Sequence, residues 1–202
     1  MVLGSGAAYG THRPLVRVKE TSLGQEIPTD QHGFSKYIEA LWLAGDSDTI
    51  ALRPFGVYGP GEDYAIRFLS NASCKALLGM PVTLRRDRLF SYTWVEDLAA
   101  VVAAALDAGP QGLAPGAYNV TPKEPVSLRD LADLVVAASG CDVPVLVAEE
   151  GRGLEYSGDG SKLARALPPL SFTRPTEGIE RLVAWYAERL DQIDRRALET
   201  DR

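Results

Sequence analysis

Four side chains near the start of this 202-residue sequence have the means to hold and move a proton: Ser5, Tyr9, His32 and Lys36. Ser5 precedes Tyr9 by four positions in Ser5-Gly-Ala-Ala-Tyr9, and His32 precedes Lys36 by four in His32-Gly-Phe-Ser-Lys36. On a helix the second spacing sets an imidazole and an ammonium on one face. An imidazole exchanges protons near neutral pH, so the pair suits acid/base work. The same residue types also serve plain structural ends, with Ser5 as a turn or cap, His32 as a helix-start residue and Lys36 as a solvated cation.

Nothing points to a metal. His12 and His32 lie twenty residues apart without a carboxylate at ligand spacing, and Cys74 and Cys141 lack the paired spacing of a zinc site or a small disulfide framework. Single cysteines of this kind suit reduced thiols and therefore a cytoplasmic protein. Gly4-x-Gly6-x-x-x-Gly10 after Met1-Val-Leu imitates a phosphate-cradling loop, with Glu20 in the part of a ribose-binding acid. Such a loop must open directly into a helix, and Pro14 with its polar surroundings leaves no room for one.

The elements that must position these side chains alternate between strand and helix. Met1–Gly4, Thr49–Arg53 and Ala117–Thr121 read as central strands, with further strands over Val82–Leu84, Leu89–Trp94 and a β-rich Cys141–Ala148. Helices are expected over His32–Leu43, Asp63–Leu78, Val95–Leu106, Leu128–Ser139, Ser161–Leu167 and Thr176–Arg195. Phe34, Tyr37, Ile38, Leu41 and Trp42 recur at helical spacing in the first, and Ser127 caps the fourth. Tyr9–Asp30, Pro110–Gly116 and Gly151–Gly160 read as loops or crossings. Alternation of this kind implies a parallel sheet with helices on both faces. Few central strands are present, so one sheet edge is expected to stand open and to need covering.

With 46% hydrophobic and 24% charged residues, the chain has material for one substantial core. A net charge of −6 disfavours nucleic acid and anionic membranes as partners. The basic runs Arg85-Arg86 with Arg88, and Arg195-Arg196, lie among acids and read as solvated faces. No apolar stretch approaches membrane-spanning length, and Met1–Leu3 is too short for a signal peptide core.

In order along the chain, Ser5-Gly-Ala-Ala-Tyr9-Gly10 is similar to a strand end Ser-Ser-Ala-x-Val-Tyr-Gly, and His32-x-x-x-Lys36 falls in register with Tyr-x-x-x-Lys. Leu52-Arg53-Pro54-Phe55-Gly56-Val57-Tyr58-Gly59-Pro60-Gly61, Val95-Glu96-Asp97-Leu98-Ala99, Tyr118-Asn119-Val120 and Asp159-Gly-Ser-Lys162 follow. This series resembles the C-terminal portion of the extended short-chain dehydrogenase/reductases, the NAD-dependent nucleotide-sugar epimerases and dehydratases, without their glycine-rich cofactor loop.

The resemblance implies an α/β fold, an incomplete doubly wound, Rossmann-like parallel sheet with a small C-terminal substrate lobe. The sheet part would be mainly 1–53 and 91–121, the lobe mainly 54–90 and 122–175, with a C-terminal helix over 176–195. It implies that Ser5 orients a substrate hydroxyl, that His32 replaces the acid/base tyrosine and that Lys36 contacts the nicotinamide ribose. Pro54 and Phe55 would lie near the nicotinamide of NAD or NADP, and Tyr9, Gly56 and Arg88 would meet a nucleotide sugar. The missing loop leaves open whether this chain alone binds the cofactor.

Three departures from the family pattern stand out. His32 occupies the tyrosine position with a shorter reach, so either the substrate sits closer or Tyr9 serves instead. Gly56 stands where many relatives have asparagine, and Phe90 where many have arginine.

Three functions follow as expectations. The first is an NAD-dependent epimerase or dehydratase acting on a nucleotide sugar, altered or inactive if its cofactor-binding part is absent. The second is a cofactor-free proton-transfer enzyme using Ser5, His32 and Lys36. The third is a non-catalytic subunit that pairs through its open sheet edge, and a homodimer or other partner covering that edge is expected.

Overall fold

The computed structural model describes residues 1–108 and 112–199, and residues 110 and 111 of the expected 110–116 loop lie outside that range. The strands are β1 Val2–Leu3, β2 Leu15–Val18, β3 Ile50–Pro54, β4 Gly56–Tyr58, β5 Val82–Leu84, β6 Leu89–Phe90, β7 Tyr92–Trp94, β8 Gly116–Val120, β9 Val126–Ser127, β10 Val145–Val147 and β11 Tyr156–Gly158. The helices are α1 Gln31–Ala44, α2 Phe68–Leu77, α3 Val95–Asp107, α4 Leu128–Ser139, α5 Ser161–Ala166 and α6 Pro175–Ala187. The fold is mixed α/β with parallel strand pairs. It divides into two compact units, the first comprising Met1–Val57, Leu89–Pro125 and Leu154–Phe172, the second Tyr58–Arg88, Val126–Gly153 and Thr173–Arg202.

At the centre of the first unit is a parallel sheet in the order β1-β3-β8, with Leu3 opposite Leu52 and Leu52 opposite Tyr118. Leu52, Tyr118 and Val120 pack with Val101 and Ala105 of α3 and Leu163 of α5 into a buried apolar cluster. A second cluster gathers Tyr9, Leu15, Phe55 and Tyr156. Removing these side chains from water is the dominant favourable contribution to folding.

Two expectations fail here for one reason. Leu15–Val18, inside the expected polar loop, is a strand, and so is Tyr156–Gly158, inside the expected crossing; they pair with each other in parallel. Each is too short to declare itself, and only a partner about 140 residues away makes it a strand.

In the second unit, α2, α4 and α6 pack on one another and β5 pairs with β10. Helix α4 has the expected ends: the Ser127 hydroxyl accepts the Asp130 N–H at 3.1 Å, and Gly140 closes the helix in a left-handed conformation at φ 66°. Two other helices are shorter than their sequences suggest. Helix α2 begins at Phe68 after a turn over Asp63–Arg67, and α6 ends at Ala187, followed by single 3-10 turns at Leu190–Gln192 and Arg195–Leu198. Arg85 and Arg86 both pair with Glu149, at 2.7 and 2.6 Å, so one carboxylate offsets part of the charge of this basic run. Among the described residues no helix is long and apolar enough to cross a membrane, and no cluster of His, Cys, Asp and Glu is arranged to hold a metal ion.

Candidate active site

Because β1, β3 and β8 run parallel, their carboxyl ends share one edge, the edge at which open α/β sheets bind ligands. Ser5 follows β1 and Pro54 ends β3 at that edge. Ser5 is the N-cap of a 3-10 turn over Gly6–Tyr9, its hydroxyl oxygen accepting the Ala7 N–H at 3.1 Å. A cap uses the oxygen as acceptor and leaves the hydroxyl proton free to donate.

Helix α1 packs against this turn. Its start is set by Asp30, whose carboxylate accepts the Gly33 N–H at 2.7 Å, and that bond holds the Asp30 carboxyl below its ordinary range. Gly33 is tight against Asp30, Pro28 and the Ala7 carbonyl, where a Cβ would lie 3.2 Å from the carbonyl oxygen. The turn carrying Ser5 and the start of α1 are therefore neighbours. His32 occupies the second position of α1 and is exposed. Lys36 is half-buried, with its ammonium 2.7 Å from the Glu39 carboxylate. No bond joins Ser5, His32 and Lys36 to one another; what the fold brings together is the turn and the helix that carry them.

Tyr9 and Phe55 differ from their expected roles. The Tyr9 hydroxyl donates to Asn119 Oδ1 at 2.8 Å and accepts from Arg53 Nη1 at 2.9 Å, and Tyr9, Arg53 and Asn119 are all buried. Burial, more than the lowering influence of Arg53, decides the direction for the Tyr9 hydroxyl and pushes it above its ordinary value. Such a hydroxyl holds its proton and spends both bonds inside the protein, so Tyr9 stands here as a core residue. Phe55 is buried between Tyr9 and Tyr156, its ring centroid 5.0 Å from that of Tyr156. A Cβ on Gly6 would fall 2.8 Å from the Phe55 ring, and one on Gly158 closer still. The Phe55 ring thus fills the core where a nicotinamide contact was expected.

Gly56 has its own physical reason. A Cβ there would meet Phe90 at 2.6 Å and Tyr92 at 2.8 Å, two rings stacked 4.5 Å apart. The two departures at Gly56 and Phe90 are one packing solution: the aromatic ring excludes a side chain at Gly56. Arg88 belongs to the second unit, where its carbonyl accepts the Leu128 N–H at 3.0 Å.

The NAD dependent epimerase/dehydratase family matches residues 1–121. The chain belongs to that family. No curated protein sequence matches it. Among solved structures, it resembles UDP-glucose 4-epimerase with UDP-glucose from Thermotoga maritima at 20% identity and TM-score 0.77, over 93% of this chain and 63% of that one. UDP-glucuronic acid 4-epimerase from Bacillus cereus in complex with NAD is similar at 19% identity and TM-score 0.73, over 93% of this chain and 61% of that one. dTDP-glucose 4,6-dehydratase from Bacillus anthracis in complex with NAD matches at 16% identity and TM-score 0.74, over 92% and 60%. At these identities the likeness is one of fold, and the chain spans about three fifths of the length of these structures.

Measured against the family's cofactor, the expected residues divide. Ser5 and Pro54 stand at the carboxyl edge of the sheet, where open α/β sheets take their ligands, and Lys36 on the helix packed against the Ser5 turn, whereas Phe55 is enclosed by Gly6, Tyr9, Tyr156 and Gly158. The sequence reading missed Arg53 and Asn119, which anchor the turn bearing Ser5 through Tyr9. Their signal was present, since an arginine and an asparagine inside central strands must find partners when buried.

Proposed function

We propose that this chain is the active-site portion of an enzyme that modifies a nucleotide sugar with NAD or NADP. The reading is supported by the family match and by one observation above all: Ser5, Pro54 and the Lys36-bearing helix gather at the carboxyl edge of the parallel sheet. Bound there, the cofactor would supply hydride acceptance from a sugar carbon. The residues would supply the rest. Ser5 keeps a free hydroxyl proton with which to orient the reacting oxygen, exposed His32 takes the hydroxyl proton, and Lys36 leaves Glu39 to meet the ribose.

Titration with NADH, followed by nicotinamide fluorescence, tests this on the chain as it stands. Saturable enhancement that weakens about tenfold or more in Lys36→Met supports it; no saturation removes redox chemistry from this polypeptide. A non-catalytic subunit is the alternative favoured by the exposed imidazole and the Lys36–Glu39 pair, and it would show neither cofactor binding nor turnover to lose on His32→Ala.

In either case we infer a homodimer through α1. Phe34, Ile38, Leu41 and Trp42 are 46, 49, 42 and 76% exposed along one side of that helix, an apolar stripe of the kind that marks an interface. Free Cys74 and Cys141 suit the reducing cytoplasm.

A further inference from the structure

The second unit holds a cavity of about 190 Å³ that the reading above does not use. Its walls include Glu62, Tyr64, Trp185, Tyr186 and Arg189. The rings stand nearly perpendicular to one another, Tyr64 to Tyr186 at 83° and Trp185 to Tyr186 at 84°. Perpendicular rings offer a ligand both electron-rich faces and edges, and the faces attract cations. The protein already uses one of them in this way: the Arg189 guanidinium lies 4.4 Å from the Trp185 ring centroid, held there by the Trp185 carbonyl at 2.9 Å and Glu188 at 3.0 Å.

Glu62 supplies the charge. One carboxylate oxygen accepts the hydroxyl proton of Ser70 at 2.7 Å, and among the described residues no cation forms an ion pair with it. Burial lifts its carboxyl to about 7, the Ser70 bond and the charge of Arg67 opposing and that of Asp63 assisting. Tyr186 faces it from α6, donating to the Glu62 carbonyl at 3.2 Å, while Arg189 is turned to Trp185 and Glu188. The carboxylate is thus half-buried and in no ion pair with another described residue, the charge of Arg67 reaching it only through space, and it belongs to a residue that lines the cavity beside the aromatic rings.

We propose that this cavity binds a small organic cation, a methylated ammonium group seated against the Tyr64 and Trp185 rings with the Glu62 carboxylate as its counter-charge. Neutral ligands of the same shape gain the apolar contact and lose both electrostatic attractions. The proposal is independent of cofactor and sugar binding, and its test needs no catalytic activity.

Calorimetric titration of the whole chain at pH 8, where Glu62 is ionised, compares choline with its neutral carbon isostere 3,3-dimethyl-1-butanol. Choline should bind saturably and at least about tenfold more tightly than the isostere, and quench a tryptophan signal that disappears in Trp185→Phe. In Glu62→Gln, which keeps an acceptor for Ser70, that preference should vanish. Equal affinity for choline and the isostere in the native chain, the absence of saturable choline binding, or an unchanged preference in Glu62→Gln overturns the proposal. The comparison within the native chain stands even where a variant folds poorly.

Discussion

At the scale of the residue, the clearest result is what a hydroxyl is used for. Tyr9 stands in a motif position that invites a substrate role, yet its oxygen closes a buried chain from Arg53 to Asn119. Tyr9→Phe removes one atom and leaves a buried guanidinium N–H and an amide oxygen without that partner. An unfolding free energy lower by about 1–3 kcal/mol in urea is expected, with NADH titration otherwise unchanged. Loss of cofactor binding at unchanged stability would return Tyr9 to the site. Gly56 gives a second test of the same kind. Restoring the family's asparagine there places a side chain where Phe90 and Tyr92 already stand, so Gly56→Asn is expected to destabilise by about 1–3 kcal/mol, measured by urea denaturation. Phe90→Ala should relieve part of that loss, because the two positions share one space.

At the scale of the element, edges and faces decide what the chain needs from outside. The outer edge of β8 is sealed by side chains: the Glu20 carboxylate accepts the Asn119 N–H at 2.8 Å and the Lys162 ammonium donates to the Ala117 carbonyl at 2.7 Å. The opposite edge is β1, where Leu3 is 51% exposed. Helix α1 is apolar on two sides, burying Gly33, Tyr37, Ala40 and Leu43 while exposing Phe34, Ile38, Leu41 and Trp42. The exposed side is expected to pair two copies. Native protein should sediment as a dimer and Ile38→Glu with Trp42→Glu as a monomer of unchanged helix content; a native monomer at the same concentration would sink the pairing. How legible these elements were follows from how local their causes are. Ser127 and Gly140 fix α4 within its own few residues, so its limits stood in the sequence. The repeat of apolar residues announced α1 but gave no hint of which apolar side faces inward, because the small residues Gly33 and Ala40 make the close contact. The pair β2 and β11 was hidden since neither forms without the other. The spacing of Ser5, His32 and Lys36 stood in the sequence, whereas the tie from Arg53 through Tyr9 to Asn119 exists only after three distant segments meet.

At the scale of the whole molecule, the stability of the chain should carry the signature of Glu62. A carboxyl raised from 4.5 to about 7 by burial binds its proton more tightly in the folded state than in the unfolded one. Between those two values the native state holds more protons, so the unfolding free energy falls as pH rises and levels off above about 8. The full loss is about 3 kcal/mol at most. Carboxyls held below their ordinary values act with the opposite sign and in a different window: Asp30, lowered chiefly by the Gly33 N–H, and Glu149, lowered chiefly by its bond from Arg85, contribute stability that is lost as pH falls through the acid range. The chain should therefore be most stable in mildly acidic solution, near pH 5. Urea unfolding at pH 5 and pH 8, followed by tryptophan fluorescence, measures the difference directly. Glu62→Gln, which keeps the acceptor for Ser70 and cannot ionise, should flatten the decline and be more stable than the native chain at pH 8. If native and Glu62→Gln chains lose stability equally between pH 5 and pH 8, the Glu62 carboxyl does not bind its proton more tightly in the folded state.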